Sequence, residues 1–600
     1  MTTFRDFVPE QRFQPTLAIS PDGHRVAFSA NTSGQYNLWV ALLDGNEPAR
    51  PFTAYTDEAV RHVAWSPDGE SLAFSADRAG DEQYQIYVIP AAGGDARRLT
   101  DVLDRQHALA DRPFSPDGKS LVYAANDREP MVQDVLVRDL ASNDVRRIES
   151  QPGLLLFSSS ISPDGRWLLA VGATSNSDSD CFLVDLAEPE GALRNVTPHE
   201  GDVRYEPGPW AADSSGFYLC TNRGGEFQAL AFYNLEHDTV TDVEAPAWDV
   251  EQVTATDDGG TLAWTVNEAG LSVIHVRRGN QSTVLPSEHR GEIAALSITP
   301  DGSTLAFLLS TATRPTDVAA VDLTSGTVRY LTDSRPPALT QMQPRSPELI
   351  DFPTHDDRRI PGWLYRPAGD GPFPVVLAIH GGPEAQERAV YGYSGLYQFL
   401  LANGIGVLAP NVRGSTGYGA TYQRLIERDW GGAELGDFEH AARYLQSLDW
   451  VDAKRLAVFG GSFGGFATLS CLSRLPDLWA AGVSIVGPSN LVTLTRSVPP
   501  TWRPLMAKWL GDPDTDFDFL MERSPITYAD AITAPLMVIQ GANDPRVVKA
   551  ESDQIVESLR ARGVEVRYDV YDDEGHGFTK RENEVKAIGD VGDFLVQHLT

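Results

Sequence analysis

A serine enclosed by glycines is the feature of this 600-residue sequence that most directly suggests chemistry. Residues 458–467 read V-F-G-G-S-F-G-G-F-A, a β-branched and aromatic run followed by G-x-S-x-G and a helix-like stretch. Gly460 and Gly464 have no Cβ, so they permit a sharp turn that lifts the hydroxyl of Ser462 above a strand end. The pattern predicts a nucleophile elbow, although glycine-rich turns between strand and helix also serve packing alone.

A serine hydroxyl is a weak nucleophile at neutral pH, so it needs a base that is held in one tautomer by a carboxylate. Asp544 lies shortly after an apolar strand-like run at 536–539, and His576 stands between two glycines after an alternating run at 564–570. Ser, Asp and His therefore occur in the chain order that α/β-hydrolases use. We predict acyl transfer through a covalent intermediate on Ser462.

The elements needed to position these residues are visible in the second half of the sequence. Short apolar runs alternate there with helical patterns, which predicts a mostly parallel, doubly wound sheet with its function at the carboxyl ends of the strands. H-G-G-P at 380–383 follows one of these runs, where α/β-hydrolases carry a loop that supplies an oxyanion-hole amide. The second amide is expected from Phe463, the residue after the nucleophile.

The first half of the sequence is a repeat. S-P-D-G or a weaker variant occurs seven times, and the shared aspartate falls at the following positions: 22, 68, 117, 164, 213, 258 and 301. Each copy predicts a tight turn and is followed by a short buried strand. A period in the forties predicts a seven-bladed β-propeller at 1–333, followed by a linker at 334–350 and the α/β-hydrolase domain at 351–600.

Composition excludes several classes of partner. The formal net charge of −34 disfavours nucleic acid and anionic membranes. Cys181, Cys220 and Cys471 are far apart, which supports neither disulfides nor a zinc site, and we expect no metal and no cofactor. We find no signal-peptide pattern and no apolar run of membrane-spanning length, so we expect a soluble cytoplasmic protein.

The combined motifs resemble the prolyl oligopeptidase family of serine peptidases, and most closely its acylaminoacyl-peptidase branch. The resemblance covers nearly the whole chain and depends on the propeller before the hydrolase and on five motifs: H-G-G-P at 380–383, N-V-R-G-S-T-G-Y-G at 411–419, G-G-S-F-G-G at 460–465, D-P-R-V at 544–547 and E-G-H-G-F at 574–578. It implies a triad of Ser462, Asp544 and His576. It also implies an oxyanion hole formed by the amides of Gly382 and Phe463. Phe463 departs from the tyrosine of many relatives, but only its amide is required.

The same resemblance suggests substrate-binding residues. Arg546, two residues after the triad aspartate, resembles an arginine that the family keeps beside its site. The specificity pocket is expected within residues 487–509, where Trp502 lines an apolar pocket or belongs to the core. Glu206 and Glu226 correspond to the region where dipeptidyl peptidases hold a free amine, although most acidic residues of such a chain are solvated.

We therefore expect a serine peptidase acting near the amino ends of short peptides, with N-blocked substrates as the main hypothesis. An aminopeptidase or dipeptidyl peptidase acting on free amino ends remains the first alternative. An esterase or amidase acting on small molecules is the second, and a catalytically inactive binding protein is the third. The sequence leaves the oligomeric state open, including a homo-oligomer.

Overall fold

The computed structural model describes residues 3–285 and 290–600. Seven four-stranded antiparallel sheets form the N-terminal domain, which confirms the predicted seven-bladed propeller. Each sheet is built from four consecutive strands, so each sequence repeat forms one blade, and we number the blades 1 to 7 in chain order. At six of the seven junctions between blades the first strands contact one another, which puts these strands nearest the axis of the ring.

The strands of the propeller are short, as expected for blades of a repeat protein. Blades 1 to 4 contain β1 Phe13–Ile19, β2 Arg25–Ala30, β3 Asn37–Leu42, β4 Arg50–Pro51, β5 Glu58–Trp65, β6 Ser71–Arg78, β7 Gln85–Pro90, β8 Arg97–Arg98, β9 His107–Phe114, β10 Ser120–Glu129, β11 Val132–Asp139, β12 Val145–Ile148, β13 Leu155–Ile161, β14 Trp167–Ser175, β15 Asp178–Asp185 and β16 Arg194–Asn195. Blades 5 to 7 contain β17 Tyr205–Trp210, β18 Gly216–Thr221, β19 Ala229–Asn234, β20 Thr239–Glu244, β21 Val250–Ala255, β22 Thr261–Glu268, β23 Leu271–Arg278, β24 Gln281–Val284, β25 Glu292–Ile298, β26 Thr304–Thr311, β27 Arg314–Asp322 and β28 Val328–Tyr330.

The repeated S-P-D-G sequence forms the turn between the first and second strands of a blade. In blade 1, the carboxylate of Asp22 accepts a hydrogen bond from the amide of His24, and the hydroxyl of Ser20 accepts one from the amide of Arg25. Gly23 closes the turn with φ of +74°, a left-handed conformation that side chains disfavour. The sequence is repeated because each of its residues satisfies a separate requirement of this turn.

Side-chain packing closes the ring. Val26 and Phe28 of blade 1 lie in one apolar cluster with Leu308 and Val318 of blade 7. Burying each of these side chains contributes about 1.5–3 kcal/mol, so the packing holds the first and last blades together although they exchange no strand.

The C-terminal domain is built on one eight-stranded sheet in the order β29-β30-β32-β31-β33-β34-β35-β36. The pairs β29–β30 and β30–β32 are antiparallel and the other pairs are parallel, which confirms the predicted α/β-hydrolase class. The strands are β29 Glu348–Pro353, β30 Arg359–Tyr365, β31 Phe373–Ile379, β32 Gly406–Pro410, β33 Val451–Gly461, β34 Ala481–Ile485, β35 Leu536–Gly541 and β36 Val566–Tyr571.

Helices cover both faces of this sheet, and alternate residues of its central strands feed two separate cores. In β31, Val375 and Leu377 belong to one core, whereas Val376 and Ala378 belong to the other. The α-helices are α1 Ala338–Gln341, α2 Leu396–Ala402, α3 Ala420–Arg424, α4 Ala433–Gln446, α5 Phe463–Arg474, α6 Leu491–Ser497, α7 Arg503–Trp509, α8 Phe517–Arg523, α9 Lys549–Ala561 and α10 Arg581–Leu599. Short 3₁₀ helices lie at Phe4–Phe7, Tyr393–Gly395, Pro476–Leu478, Pro500–Trp502 and Pro525–Ala531.

The structure differs from the sequence-based division at both ends of the propeller. Residues 4–8 fall within the predicted propeller range of 1–333, but Phe4 and Phe7 pack against Phe399 in the core of the hydrolase domain. The predicted linker at 334–350 contains α1 and the first residues of β29. Phe4, Phe7 and Val8 belong to no blade, because they are buried in the same hydrolase core as α2.

Candidate active site

Ser462 lies in a strained turn between β33 and α5, with φ of 55° and ψ of −118°. A Cβ on Gly460 would lie 2.6 Å from the carbonyl carbon of Gly464, and a Cβ on Gly464 would lie 2.9 Å from that of Ile379. Both positions therefore require glycine because strand and helix approach so closely. The strained backbone holds the hydroxyl of Ser462 at the carboxyl end of the sheet.

Ser462, His576 and Asp544 form a continuous hydrogen-bonded chain. Nε2 of His576 lies 2.9 Å from Oγ of Ser462, and Nδ1 lies 2.7 Å from Oδ2 of Asp544. The side chain of Asp544 is fully buried, and its other oxygen accepts hydrogen bonds of 2.9 Å from the amides of Arg546 and Val547. An ionised Asp544 therefore keeps a proton on Nδ1 and leaves Nε2 free to accept the serine proton.

The H-G-G-P loop lies directly beside the nucleophile. A Cβ on Gly381 would lie 3.5 Å from Cβ of Ser462, and Gly382 has a φ of +113° that favours glycine. Buried His380 fixes the start of the loop, because its Nε2 lies 2.9 Å from Oγ of Ser415. Burial lowers the pKa of His380, so its ring is neutral.

Phe463 begins α5, and the amides in the first turn of a helix have no acceptor within the helix. Its amide is thus available beside Ser462, while its ring is buried against Trp430 in the domain core. The loop that contains Gly382 thus lies beside Ser462, and Phe463 follows Ser462 directly in the chain. The oxyanion role of their two amides stays a prediction.

Arg546 connects the catalytic loops with the propeller. Its Nε lies 2.8 Å from a carboxylate oxygen of Glu82 in blade 2, and its guanidinium lies 5.4 Å from the ring centre of Trp502. Arg546 and Trp502, both predicted to bind substrate, are therefore neighbours. Trp502 also packs against the hydrolase core, as does Trp509. Sequence analysis missed Glu82, and no local motif marks it.

The hairpin between β6 and β7 of blade 2 touches both catalytic loops. The side-chain amide of Asn543 donates to the carbonyl of Ala79 over 3.3 Å. Gly80 packs on the backbone of Gly575, the residue before His576, so closely that a Cβ on Gly80 would lie 2.8 Å from the Gly575 Cα. A propeller loop thus supports the residues that position Asp544 and His576.

An acidic cavity of about 380 Å³ lies between the two domains. Glu384 forms part of its wall only two residues beyond Gly382, so the cavity adjoins the predicted oxyanion loop. Its charged lining consists of six carboxyl groups and two guanidinium groups: Glu206, Glu226, Asp249, Glu251, Glu292, Glu384, Arg204 and Arg388. The excess of carboxyl groups gives the cavity a negative potential.

Ion pairs neutralise part of this lining, since Arg204 pairs with Glu206 and Arg388 pairs with Glu251. Burial raises the pKa of Asp249 to about 6, and burial also raises the pKa of Glu292. Burial thus makes the ionised forms of these carboxyl groups unfavourable. A ligand with a positive charge would stabilise those ionised forms.

The two glutamates selected from the sequence have different surroundings. Glu206 lies at the start of β17 and faces the cavity together with Arg204. Glu226 also borders the cavity, but its carboxylate accepts hydrogen bonds from the amide and hydroxyl of Thr421 over 2.8 and 2.7 Å. Glu226 thus joins blade 5 to the hydrolase domain.

Burial raises the pKa of Glu384 to about 7. Its carboxyl oxygens are shielded from solvent, and neither nearby Asn176 nor Gln423 is placed to donate a well-formed hydrogen bond to them. Sequence reasoning missed Glu384, although it follows the H-G-G-P motif immediately. Its side chain shapes the cavity wall next to the oxyanion loop.

Among residues 3–285 and 290–600, no group of three or more histidine, cysteine or acidic side chains is arranged to hold a metal ion. Within the same ranges, no helix is both long enough and apolar enough to span a membrane.

A propeller above an α/β-hydrolase whose serine, histidine and aspartate are hydrogen-bonded in sequence defines a serine hydrolase of the peptidase type. The chain belongs to the prolyl oligopeptidase family of serine peptidases. The model of that family matches residues 391–600, and a TolB β-propeller model matches residues 11–133.

Similar proteins extend this assignment along the chain. Dipeptidyl aminopeptidase BIII of Pseudoxanthomonas mexicana is 33% identical over 615 residues, which cover 97% of this chain and 86% of that protein. Dipeptidyl peptidase family member 6 of Caenorhabditis elegans is 40% identical over 234 residues, covering 38% of this chain and 31% of that protein.

Solved structures share the fold over the whole chain. A puromycin-hydrolysing peptidase of Mycobacterium tuberculosis has a TM-score of 0.83 at 20% identity, covering 100% of this chain and 96% of its own. Acylaminoacyl peptidase of Pyrococcus horikoshii has a TM-score of 0.73 at 19% identity, covering 100% and 97%. At these identities the likeness concerns the fold.

Proposed function

We propose that the protein is a dipeptidyl aminopeptidase that releases dipeptides from the free amino ends of short peptides. The observation that carries this proposal is the acidic cavity beside the oxyanion loop, lined by six carboxyl groups and two guanidinium groups. A peptide ammonium group is the cation that such a cavity would pair with when a substrate binds. The identity of 33% with a dipeptidyl aminopeptidase over 97% of the chain supports the same conclusion.

The reach of a dipeptide fits this arrangement. An extended chain advances about 3.3–3.6 Å per residue, so the amino nitrogen of a dipeptide lies about 7 Å from its second carbonyl carbon. Glu384, which lines the cavity, follows Gly382 by two residues, and two residues span at most about 7 Å. The cavity wall therefore begins within about 7 Å of Gly382. The carbonyl after the second residue would then lie at Ser462 while the ammonium group enters the cavity.

In the proposed reaction, Nε2 of His576 removes the proton from Ser462 as Oγ attacks the peptide carbonyl. The amides of Gly382 and Phe463 stabilise the negative oxygen of the tetrahedral intermediate. His576 then donates its proton to the leaving amine, and the dipeptide remains as an ester on Ser462. Water activated by the same histidine hydrolyses that ester, while Asp544 holds the ring and compensates its transient positive charge.

Blocked substrates, the main expectation from the sequence, are less compatible with this cavity. An acetyl group is uncharged, so it would displace water from the carboxylates without neutralising them, which costs several kcal/mol or so per buried charge. The free-amine alternative is therefore preferred. A small-molecule esterase would use the triad but would need neither the acidic cavity nor the propeller.

The proposal is tested with p-nitroanilides of matched length. We expect kcat/KM for Ala-Ala-p-nitroanilide to exceed that for acetyl-Ala-p-nitroanilide and acetyl-Ala-Ala-p-nitroanilide by more than about tenfold, or roughly 1.4 kcal/mol. Ala-p-nitroanilide is the length control and should be slower than the dipeptide. A preference for the acetylated compounds would contradict the proposal and favour an acylaminoacyl-peptidase.

A further inference from the structure

Six of the seven propeller blades are attached to the hydrolase domain by the hairpin between their second and third strands. These hairpins lie on the propeller face that carries the active site. The bonds are Arg581 N to Gly34 O in blade 1, Asn543 to Ala79 O in blade 2, Ser177 to Glu427 in blade 4, Thr421 to Glu226 in blade 5, Asn267 to Gln386 in blade 6 and Gln398 to Ala312 O in blade 7.

Blade 3 is the exception. Its hairpin between β10 and β11 keeps its ion pairs within the blade, between Arg128 and Asp134 and between Arg147 and Asp127. Among the described residues, no hydrogen bond or ion pair joins residues 126–131 to the hydrolase domain. Met131, at the tip of this hairpin, is exposed.

Exposed apolar side chains gather at the same place. Val102 and Leu103 lie in the loop from blade 2 to blade 3, and Leu103 is 55% exposed. Gln85, at the start of β7, donates a hydrogen bond to the carbonyl of Val102, which puts this loop on the propeller face that carries the active site. Val102, Leu103 and Met131 are thus exposed apolar side chains of the loops of blades 2 and 3, and we call them the apolar rim.

Opposite this rim, hydrolase residues 502–508 pass from blade 2 to blade 4. Trp502 lies against Arg546, which is paired with Glu82 of blade 2. At the other end, Lys508 lies 3.5 Å from Asp178 of blade 4. The segment thus contacts blade 4 directly and reaches blade 2 through Arg546, so it lies along the side of the ring where blade 3 stands.

We propose that the gap between the blade 3 hairpin and residues 502–508 is the opening through which peptides reach Ser462. The apolar rim of Val102, Leu103 and Met131 contacts the part of the peptide beyond the cleaved bond. The direction of the chain rests on the proposed function, because the propeller carboxyl groups that line the acidic cavity belong to blades 5, 6 and 7. A peptide with its ammonium group there leaves the site on the opposite side of the ring, where blade 3 lies.

Site-specific attachment of a polymer tests this opening. All three native cysteines are buried, so a cysteine replacing Met131 or Leu103 is the preferred target of a maleimide-linked polyethylene glycol of several kilodaltons. Val145→Cys is the matched control, because Val145 lies on β12 of the same blade, beside the turn at its opposite end, and is 39% exposed compared with 36% for Met131.

We expect the polymer at Met131→Cys or Leu103→Cys to reduce kcat/KM for a decapeptide beginning Ala-Ala by more than about tenfold, roughly 1.4 kcal/mol. Hydrolysis of p-nitrophenyl acetate should be unchanged, and the Val145→Cys conjugate should retain both activities. Decapeptide turnover that survives polymer at both rim positions overturns the proposal, as does an equal loss of ester hydrolysis. Failure of the proposed function is detected separately, by preference of the unlabelled enzyme for acetylated p-nitroanilides.

Discussion

Gly80 and Gly575 are in direct backbone contact across the boundary between the propeller and the hydrolase domain. A Cβ on Gly80 would lie 2.8 Å from the Gly575 Cα, and a Cβ on Gly575 would lie 2.7 Å from the carbonyl carbon of Gly80. Gly575 immediately precedes His576. The position of His576, the proposed catalytic base, is therefore set in part by a hairpin of blade 2.

Gly80→Ala should lower kcat by up to about 100-fold, because an added methyl group pushes the His576 loop out of reach of Ser462. Gly93→Ala is the control: Gly93 lies in the same blade with φ of +86°, but no atom lies within 4 Å of its added Cβ. Both substitutions carry the cost of a left-handed alanine, about 1 kcal/mol. Steady-state kinetics and thermal melts separate the two effects, and equal activity of the two variants would contradict the coupling.

Ser462→Ala should reduce kcat by about 10⁶-fold while the fold and peptide binding persist. Ser470→Ala serves as the control, since Ser470 lies on the same helix and its buried hydroxyl makes no hydrogen bond to a described residue. We expect the control to retain wild-type kinetics. A folded Ser462→Ala variant that keeps a tenth of normal activity would show that Ser462 is not the nucleophile.

Glu206→Gln should raise KM for free dipeptidyl substrates by about tenfold, roughly 1.4 kcal/mol, because it removes a charge that faces the cavity. Glu226→Gln should affect substrate selectivity less, since the Glu226 carboxylate is engaged by Thr421. The ratio of activities on free and acetylated p-nitroanilides measures selectivity for both variants. A larger change for Glu226→Gln than for Glu206→Gln would reverse this assignment.

The pH dependence should distinguish free-amine substrates from esters that lack an amine. Burial raises the pKa of Asp249 to about 6, so below pH 6 its carboxyl group is neutral and binds an ammonium group less well. Above about pH 8 the substrate amine itself loses its proton. We expect kcat/KM for Ala-Ala-p-nitroanilide to fall on both sides of this window, and Asp249→Asn to reduce the acidic fall relative to p-nitrophenyl acetate.

The raised pKa of Asp249 also predicts how the stability of the folded protein changes with pH. Because its pKa in the folded protein lies above the ordinary aspartate value of 3.8, folding favours the protonated carboxyl, and this stabilisation is lost as the pH rises from about 4 through 6. Asp249→Asn should therefore raise Tm at pH 7 relative to wild type and have less effect at pH 4. An identical shift at both pH values would exclude the raised pKa as its cause.

Local sequence signals predicted the parts of the protein that depend on short-range geometry. The G-x-S-x-G turn around Ser462 and the seven S-P-D-G turns each require particular residues within a few positions, so the sequence itself records them. The chain order of Ser462, Asp544 and His576 was equally informative because parallel strands bring their carboxyl ends to one edge. The fold class could be derived from these patterns.

Contacts between the domains could not be derived in this way. Glu82 and Arg546 are 464 positions apart, and no sequence motif contains both residues. The acidic cavity combines carboxyl groups from three blades with that of Glu384, and in a chain with 83 acidic residues no single glutamate stands out. The sequence did not reveal which carboxyl groups converge in one cavity. It therefore gave no reason to prefer free amino ends over the blocked substrates that were the main hypothesis.

The packing of residues 4–8 in the hydrolase domain has a consequence for synthesis on the ribosome. The hydroxyl of Tyr391 donates to the carbonyl of Phe7, a partner 384 positions earlier in the chain. All seven blades emerge before α2 and α10 are made, so the propeller can close while Phe4 and Phe7 still lack the surface that buries them. We therefore expect this apolar segment to dock only after α2 and α10 have been synthesised.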